Sequence, residues 1–103
     1  IVALEPKQSA VLSGNLAGPH RIQGIGSGFV PGNFDKSIVD EILQIDDEDS
    51  VRMMEKLWNE GTFVGVSSAA NLLGAIQVKE RYNISRVVTV FPDDGFKYLS
   101  NAQ

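Results

Sequence analysis

Apolar residues occur in three kinds of run along this chain. Ile1-Val2-Ala3-Leu4 is apolar on successive positions, as in strands covered on both faces. Ile38 to Ile45 mixes Ile, Val and Leu with acids and predicts a second strand, and Arg86-Val87-Val88-Thr89-Val90-Phe91 predicts a third. Between them, Val51, Met54, Leu57 and Trp58 recur at helical spacing, with Asp46 or Asp47 placed to cap the helix start and Gly61 to end it. Thr62 to Val66 is short and β-prone. Ala69, Ala70, Leu72, Leu73, Ala75, Ile76 and Val78 then cover most of the circumference of a helix running to about Arg81, with Asn83 at its end. A helix so apolar belongs inside a larger protein than 103 residues supply, and a chain opening on a buried-type strand without Met reads as a piece of a longer one.

Polar punctuation completes the pattern. Glu5-Pro6 is expected to stop the first strand, because proline cannot donate a ladder hydrogen bond. Residues 8–13 read as a short helix or turn, 14–19 as a loop, Pro92-Asp93-Asp94-Gly95 as a turn, and Phe96 to Ser100 as a terminal turn or short helix. The order is strand, loop, strand, helix, short strand, helix, strand, turn. It predicts an α/β fold with three layers, a mostly parallel sheet flanked by helices, in one unit spanning residues 1–103.

Composition narrows the chemistry. With no cysteine, disulfides and thiolate metal sites are excluded, and a single histidine cannot build a multi-histidine site, so no metal centre is expected. The acidic run Asp46-Asp47-Glu48-Asp49 lacks calcium-loop spacing and reads as a solvated helix start. Net charge is −4 and no Lys/Arg stripe exists, which argues against nucleic acid or an anionic membrane as partner. No apolar run is long enough to span a bilayer. His20 sits between Pro19 and Arg21 without a recognisable orienting partner, so packing or exposure in a loop is expected of it rather than catalysis.

Two segments carry candidate chemistry. Ser67 and Ser68 stand where the apolar helix begins. One of their hydroxyls is expected to cap it, and a hydroxyl there can also face a ligand. From Gly24 to Gly32 the chain is glycine-dense. Its Gly-x-Gly-x-Gly spacing, followed by Pro31-Gly32, is not the dinucleotide fingerprint; glycines here let the backbone approach something flat or bulky. Ligands of parallel sheets gather at strand carboxyl ends, so the loop 24–28, Ser67 and Pro92-Asp93 are expected to converge.

The segment Arg21-Ile22-Gln23-Gly24-Ile25-Gly26-Ser27-Gly28-Phe29-Val30-Pro31 resembles the Gln-Gly-Ile-Gly-Ala-Gly-Phe loop of cysteine synthase, or O-acetylserine sulfhydrylase. Ala3-Leu4-Glu5-Pro6, Gly65-Val66-Ser67-Ser68-Ala69-Ala70 and Pro92-Asp93-Asp94-Gly95-Phe96-Lys97-Tyr98-Leu99-Ser100 resemble three more of its motifs, in order. Ala69 stands for the usual Gly and Ser27 for the usual Ala; neither removes a group the chemistry needs. The resemblance implies the C-terminal third of a fold-type-II enzyme using pyridoxal 5′-phosphate, which makes cysteine from O-acetylserine and sulfide by β-replacement. It implies cofactor contacts by Ser67 (to the pyridine nitrogen), Gly24, Pro92 and Asp93, and a substrate-side loop of Gln23, Gly24, Ile25 and Gly26. Ser68 is the structural member of the serine pair in this reading.

The family also implies a cytoplasmic homodimer that binds the C-terminal tail of serine acetyltransferase. Lys7, Lys36, Lys56, Lys79 and Lys97 match no Ser-x-Lys context of the family's Schiff-base lysine, and its phosphate and carboxylate loops are absent too. No catalytic residue is therefore expected within this segment, which alone should neither catalyse nor hold the cofactor tightly. Cystathionine β-synthase is the nearest enzymatic rival, against which Gln23 and Gly28 speak. A non-catalytic paralogue that only binds the acetyltransferase tail is the rival from another class.

Overall fold

The computed structural model describes residues 1–96 and Leu99. Two strands form a parallel pair: β1, Val2–Pro6, and β2, Glu41–Ile45, in the register Val2 to Glu41 through Pro6 to Ile45. Two helices follow, α1 over Asp47–Asn59 and α2 over Val66–Tyr82. The β1–β2 crossover holds three short 3-10 turns, at Lys7–Ser9, Val11–Ser13 and Lys36–Ile38, and the glycine-dense loop. The expected α/β organisation with parallel pairing is thus found, in a two-stranded sheet among the described residues.

Burial explains why the helices sit where they do. Ile22, Leu43, Ile45, Met54, Leu57, Val66, Ala69 and Ala70 form one core in which α1, α2, β2 and the base of the loop meet. Small residues let α2 lie close to the sheet: a methyl built at Gly74 would stand 2.7 Å from Leu4 Cδ2. At its far end α2 is tied to β2, because Arg81 and Tyr82 both donate to the Glu41 carboxylate. The first turns of α2 are buried, whereas Leu72, Leu73 and Val78 are only half-buried and Ile76 is exposed.

The start of α1 matches its expected chemistry. Asp46 has extended backbone angles, and its carboxylate accepts from the N–H groups of Glu48 and Asp49, while Gly61 follows the helix in the left-handed region at φ +92°. A hydrogen bond from Gln8, 2.8 Å away, and those backbone donors hold the Asp46 carboxyl below its ordinary range. A depressed folded-state value means that this cap stabilises above the unfolded carboxylate value and fades as pH falls through the lowered one. Titration followed by the amide shifts of Glu48 and Asp49 should therefore show the helix start loosening only below the usual carboxylate midpoint; a midpoint at or above the ordinary value contradicts this.

Five sequence-based expectations need correction. β1 does not stop before Pro6 but pairs through it; with one partner strand among the described residues, the missing N–H interrupts no second ladder. The second strand begins at Glu41 rather than Ile38, because Asp35 accepts from Ser37 N and winds residues 36–38 into a 3-10 turn. Thr62 to Val66 is no strand. Val64 makes a single antiparallel bridge to Asp94, and Val66 already belongs to α2. Residues 86–91 are not paired as a strand: Val88 is 86% and Val90 65% exposed, since the described residues offer this β-prone run no neighbouring ladder. Neither serine caps α2. The cap position is Gly65, with extended backbone and no side-chain bond, which leaves Ser67 and Ser68 inside the first turn.

The expected terminal turn at Phe96 to Ser100 falls largely on Lys97, Tyr98 and Ser100, which lie outside the described residues. Among the described residues no helix is long and apolar enough to cross a membrane.

Candidate functional site

The glycine loop is anchored at its base and bent at its tip. Ile22 is completely buried in the core, and the preceding N–H, of Arg21, donates to Asp47 Oδ2 at 2.8 Å, fastening the loop to the start of α1. From there the backbone turns tightly, with Ile25 N donating to Ile22 O at 3.4 Å and positive φ at Gly24 (+99°) and Gly26 (+66°). Only glycine adopts such angles without strain. Gln23 and Gly24 are exposed, Ile25 and Gly26 half-buried.

The loop faces the first turn of α2. A methyl built at Gly24 would stand 3.7 Å from Ser67 Oγ. Ser67 is only 3% exposed, and its hydroxyl makes no hydrogen bond among the described residues. Ser68 is the opposite case. Its hydroxyl, fully buried, donates to Asp93 Oδ1 at 2.6 Å and lies 3.2 Å from Asp93 O. Gly65 N also donates to Asp93 O at 3.3 Å, so the turn after residue 91 is clamped onto the helix start. Trp58 buttresses this junction, donating Nε1–H to Val64 O at 2.6 Å and packing on Phe63 with ring centroids 4.8 Å apart.

Gln23, Gly24, Ile25 and Gly26, the serine pair, Pro92 and Asp93 are therefore brought to one end of α2, although the runs before Ser67 and Pro92 are not the strands whose ends were expected to gather them. A cavity of about 480 Å³, walled by Leu4, Gly24, Ile25, Gly26, Phe29 and Phe34, opens beside the loop, and Ser67 is not among its walls. Pro92 is exposed; Asp93 is half-buried and bonded rather than a bare turn residue.

Sequence reasoning missed three contributors. His20 bonds across the loop, Asp47 holds Arg21 N, and Glu5 on β1 accepts from Leu12 and Ser13. Asp47 was legible as an acid in a helix's first turn. Its loop partner lies 26 residues away, and no local spacing encodes it.

Comparison with known proteins places the sequence and the fold in one family. The family model described as "Pyridoxal-phosphate dependent enzyme" matches residues 1–93. A cysteine synthase of Staphylococcus aureus strain Mu50 is 43% identical over 102 residues, covering 97% of this chain and 33% of that protein. The crystal structure of a cysteine synthase from Entamoeba histolytica superposes with a TM-score of 0.91 at 40% identity, over 97% of this chain and 30% of that one. That of an O-acetylserine dependent cystathionine β-synthase from Helicobacter pylori gives 0.86 at 37% identity, over 96% of this chain and 33% of that one. The chain thus spans about a third of the length of the relatives it matches. On this match over most of its residues, the chain belongs to the family of pyridoxal-phosphate dependent enzymes.

Proposed function

We propose that this chain is the C-terminal third of a cysteine synthase, which makes L-cysteine and acetate from O-acetylserine and sulfide. One observation carries the reading: a nearly buried serine hydroxyl, unpartnered among the described residues, looks toward a glycine whose missing side chain leaves room in front of it. An aromatic ring nitrogen is the acceptor such a donor lacks, so the residues present fit the family's cofactor. When bound, pyridoxal phosphate supplies the electron sink for β-replacement.

The chain's own groups divide the remaining work. Ser67 Oγ–H would donate to the ring nitrogen; a neutral hydroxyl would leave that nitrogen unprotonated, where an acidic residue would keep it charged. Gly24 would give the ring space, Pro92 and Asp93 would help hold it, and Gln23 to Gly26 would border the amino-acid substrate. Asp93 also accepts from Ser68 and so keeps the end of α2 in place. The lysine that carries the cofactor is supplied from outside this segment, and the segment alone is inactive. A cytoplasmic homodimer binding the tail of serine acetyltransferase completes the proposal.

The serine pair separates site from scaffold. In the full-length protein, Ser67→Ala should lower the β-replacement rate about tenfold to a hundredfold, the loss of one hydrogen bond to a ring nitrogen. It should also shift the cofactor's visible band while leaving stability within about 0.5 kcal/mol. Ser68→Ala, which breaks a fully buried bond to a carboxylate, should instead cost about 2 kcal/mol in denaturant unfolding. An unchanged rate and spectrum in Ser67→Ala would remove the reading. The Helicobacter pylori neighbour favours one alternative, homocysteine as sulfur donor. Faster turnover with homocysteine than with sulfide would select it.

A further inference from the structure

The loop in front of Ser67 is closed by a side chain with no part in the function just proposed. His20 precedes the loop, and its imidazole reaches across it. Nε2 lies 2.8 Å from the carbonyl oxygen of Gly26, and Nδ1 lies 3.1 Å from the N–H of Ile22. The backbone N–H can only donate, so Nδ1 is the unprotonated nitrogen; the ring proton then sits on Nε2 and is donated to Gly26 O. One neutral ring thus joins both ends of the turn Ile22 to Gly26, in a single tautomer.

Packing crowds Gly26 as well. A methyl built at Gly26 would stand 2.6 Å from His20 Nε2 and 2.5 Å from Pro6 Cγ, so the imidazole and the end of β1 together close the Cβ side of Gly26. Below the clamp, Ile22 is buried and Arg21 N is held by Asp47. Gly24, the residue facing Ser67, lies between the two clamped positions, with its own N–H and carbonyl in none of these bonds.

We propose that His20 is a positioning residue, whose Nε2–H fixes the Gly26 carbonyl and so sets the distance at which Gln23 to Ile25 meet the amino-acid substrate. The inference rests on the reading of this loop as the substrate-side wall. It differs from a catalytic role, because His20 touches the loop backbone and not the reacting atoms.

Three variants of the full-length, cofactor-loaded protein test it. Gln can replace the donor at Nε2, Asn can replace only the acceptor at Nδ1, and Phe keeps the ring's bulk and neither bond. In His20→Phe the KM for the amino-acid substrate should rise about tenfold to a hundredfold, the cost of a displaced positioning group, with a much smaller change in kcat. Amide hydrogen exchange at Ile25 should quicken about tenfold or more while Met54 and Leu57 in α1 keep their rates. His20→Gln should restore both readouts and His20→Asn should not. Imidazole nitrogen resonances of the unsubstituted protein should show the Nε2-protonated tautomer.

The opposite tautomer, rescue by Asn equal to that by Gln, or exchange that quickens equally in α1 would each overturn the proposal. The two levels of inference fail separately. An unchanged KM in His20→Phe, beside a Ser67→Ala variant with altered spectrum, removes the positioning role alone. A normal spectrum in Ser67→Ala removes the functional reading, whatever the exchange data show.

Discussion

Gly26→Ala should lower the unfolding free energy by roughly 3–5 kcal/mol, more than any other glycine-to-alanine change in the loop. Two costs add there. The backbone is at φ +66°, where an L side chain is strained by about 1–3 kcal/mol. The new methyl would also stand 2.5 Å from Pro6 Cγ and 2.6 Å from His20 Nε2. Proline's ring cannot swing away as a long side chain can, so the loop must move or the strand end must. Such overpacking typically costs about 1–3 kcal/mol.

Gly14 provides the control. Its φ is +88°, yet a methyl there would meet nothing within 4 Å, so Gly14→Ala should show the conformational cost alone. Equilibrium denaturation of the two variants, compared with the parent, isolates the steric part. Equal losses at the two positions would show that the Pro6–Gly26–His20 contact is not tight. In the full-length protein Gly26→Ala should also disturb the face presented to Ser67, because the displaced carbonyl leaves the imidazole without its acceptor.

The second large effect is expected at Glu5. This carboxylate lies on β1 and is 2% exposed, without a basic partner among the described residues. It is satisfied by three donors from one short 3-10 turn: Leu12 N at 2.7 Å on one oxygen, Ser13 N at 3.0 Å and Ser13 Oγ at 2.6 Å on the other. Hydrogen bonds to a charged acceptor are worth about 1.5–3 kcal/mol each and do not sum fully within one group. Glu5→Ala should therefore cost about 3–4 kcal/mol in denaturant unfolding. Glu5→Gln should fall between the two, since its NH₂ group must face one of the donors. The loss should be accompanied by faster hydrogen exchange at Leu12 and Ser13 before any change at Met54; uniform acceleration would place the role of Glu5 in the core instead. The turn it holds contributes Val11 and Leu12 to the cavity beside the glycine loop, so the site is stiffened from both flanks of Pro6.

How far the residues alone predicted this molecule depends on the range of the interaction involved. Local devices were legible. Asp46 caps α1 because its carboxylate reaches N–H groups two and three residues on, and Gly61 and Asn83 close their helices because each adopts a positive φ. The parallel pairing of the two apolar runs and the convergence of the loop 24–28 with the start of α2 also followed from pattern, and family resemblance singled out Ser67.

Where strand expectations failed, the missing quantity was a partner. Residues 86–91 have every intrinsic preference of a strand, but backbone N–H and carbonyl groups make a ladder only against another chain segment, and among the described residues this run's backbone is hydrogen-bonded by a side chain instead, Asn71 Nδ2 to Val90 O at 2.8 Å. The serine pair failed differently. Spacing placed both hydroxyls at a helix start, and a shift of one or two residues in that start decided that neither is the cap.

Sequence by itself determined the α/β pattern, both ends of α1, the C-terminal end of α2 and the family, because each is written in residue types a few positions apart. Only the tertiary structure decided which serine is bonded and which is open, and gave His20, Asp47 and Glu5 their tasks. Ser68 meets Asp93 across 25 positions and Arg21 meets Asp47 across 26. His20 and Gly26 are only six apart, yet their bond exists because the buried Ile22 and the Pro6 ring fix the path between them. Hydrogen bonds are satisfied by whatever the packed core brings within about 3 Å, and that is a property of the fold rather than of spacing along the chain.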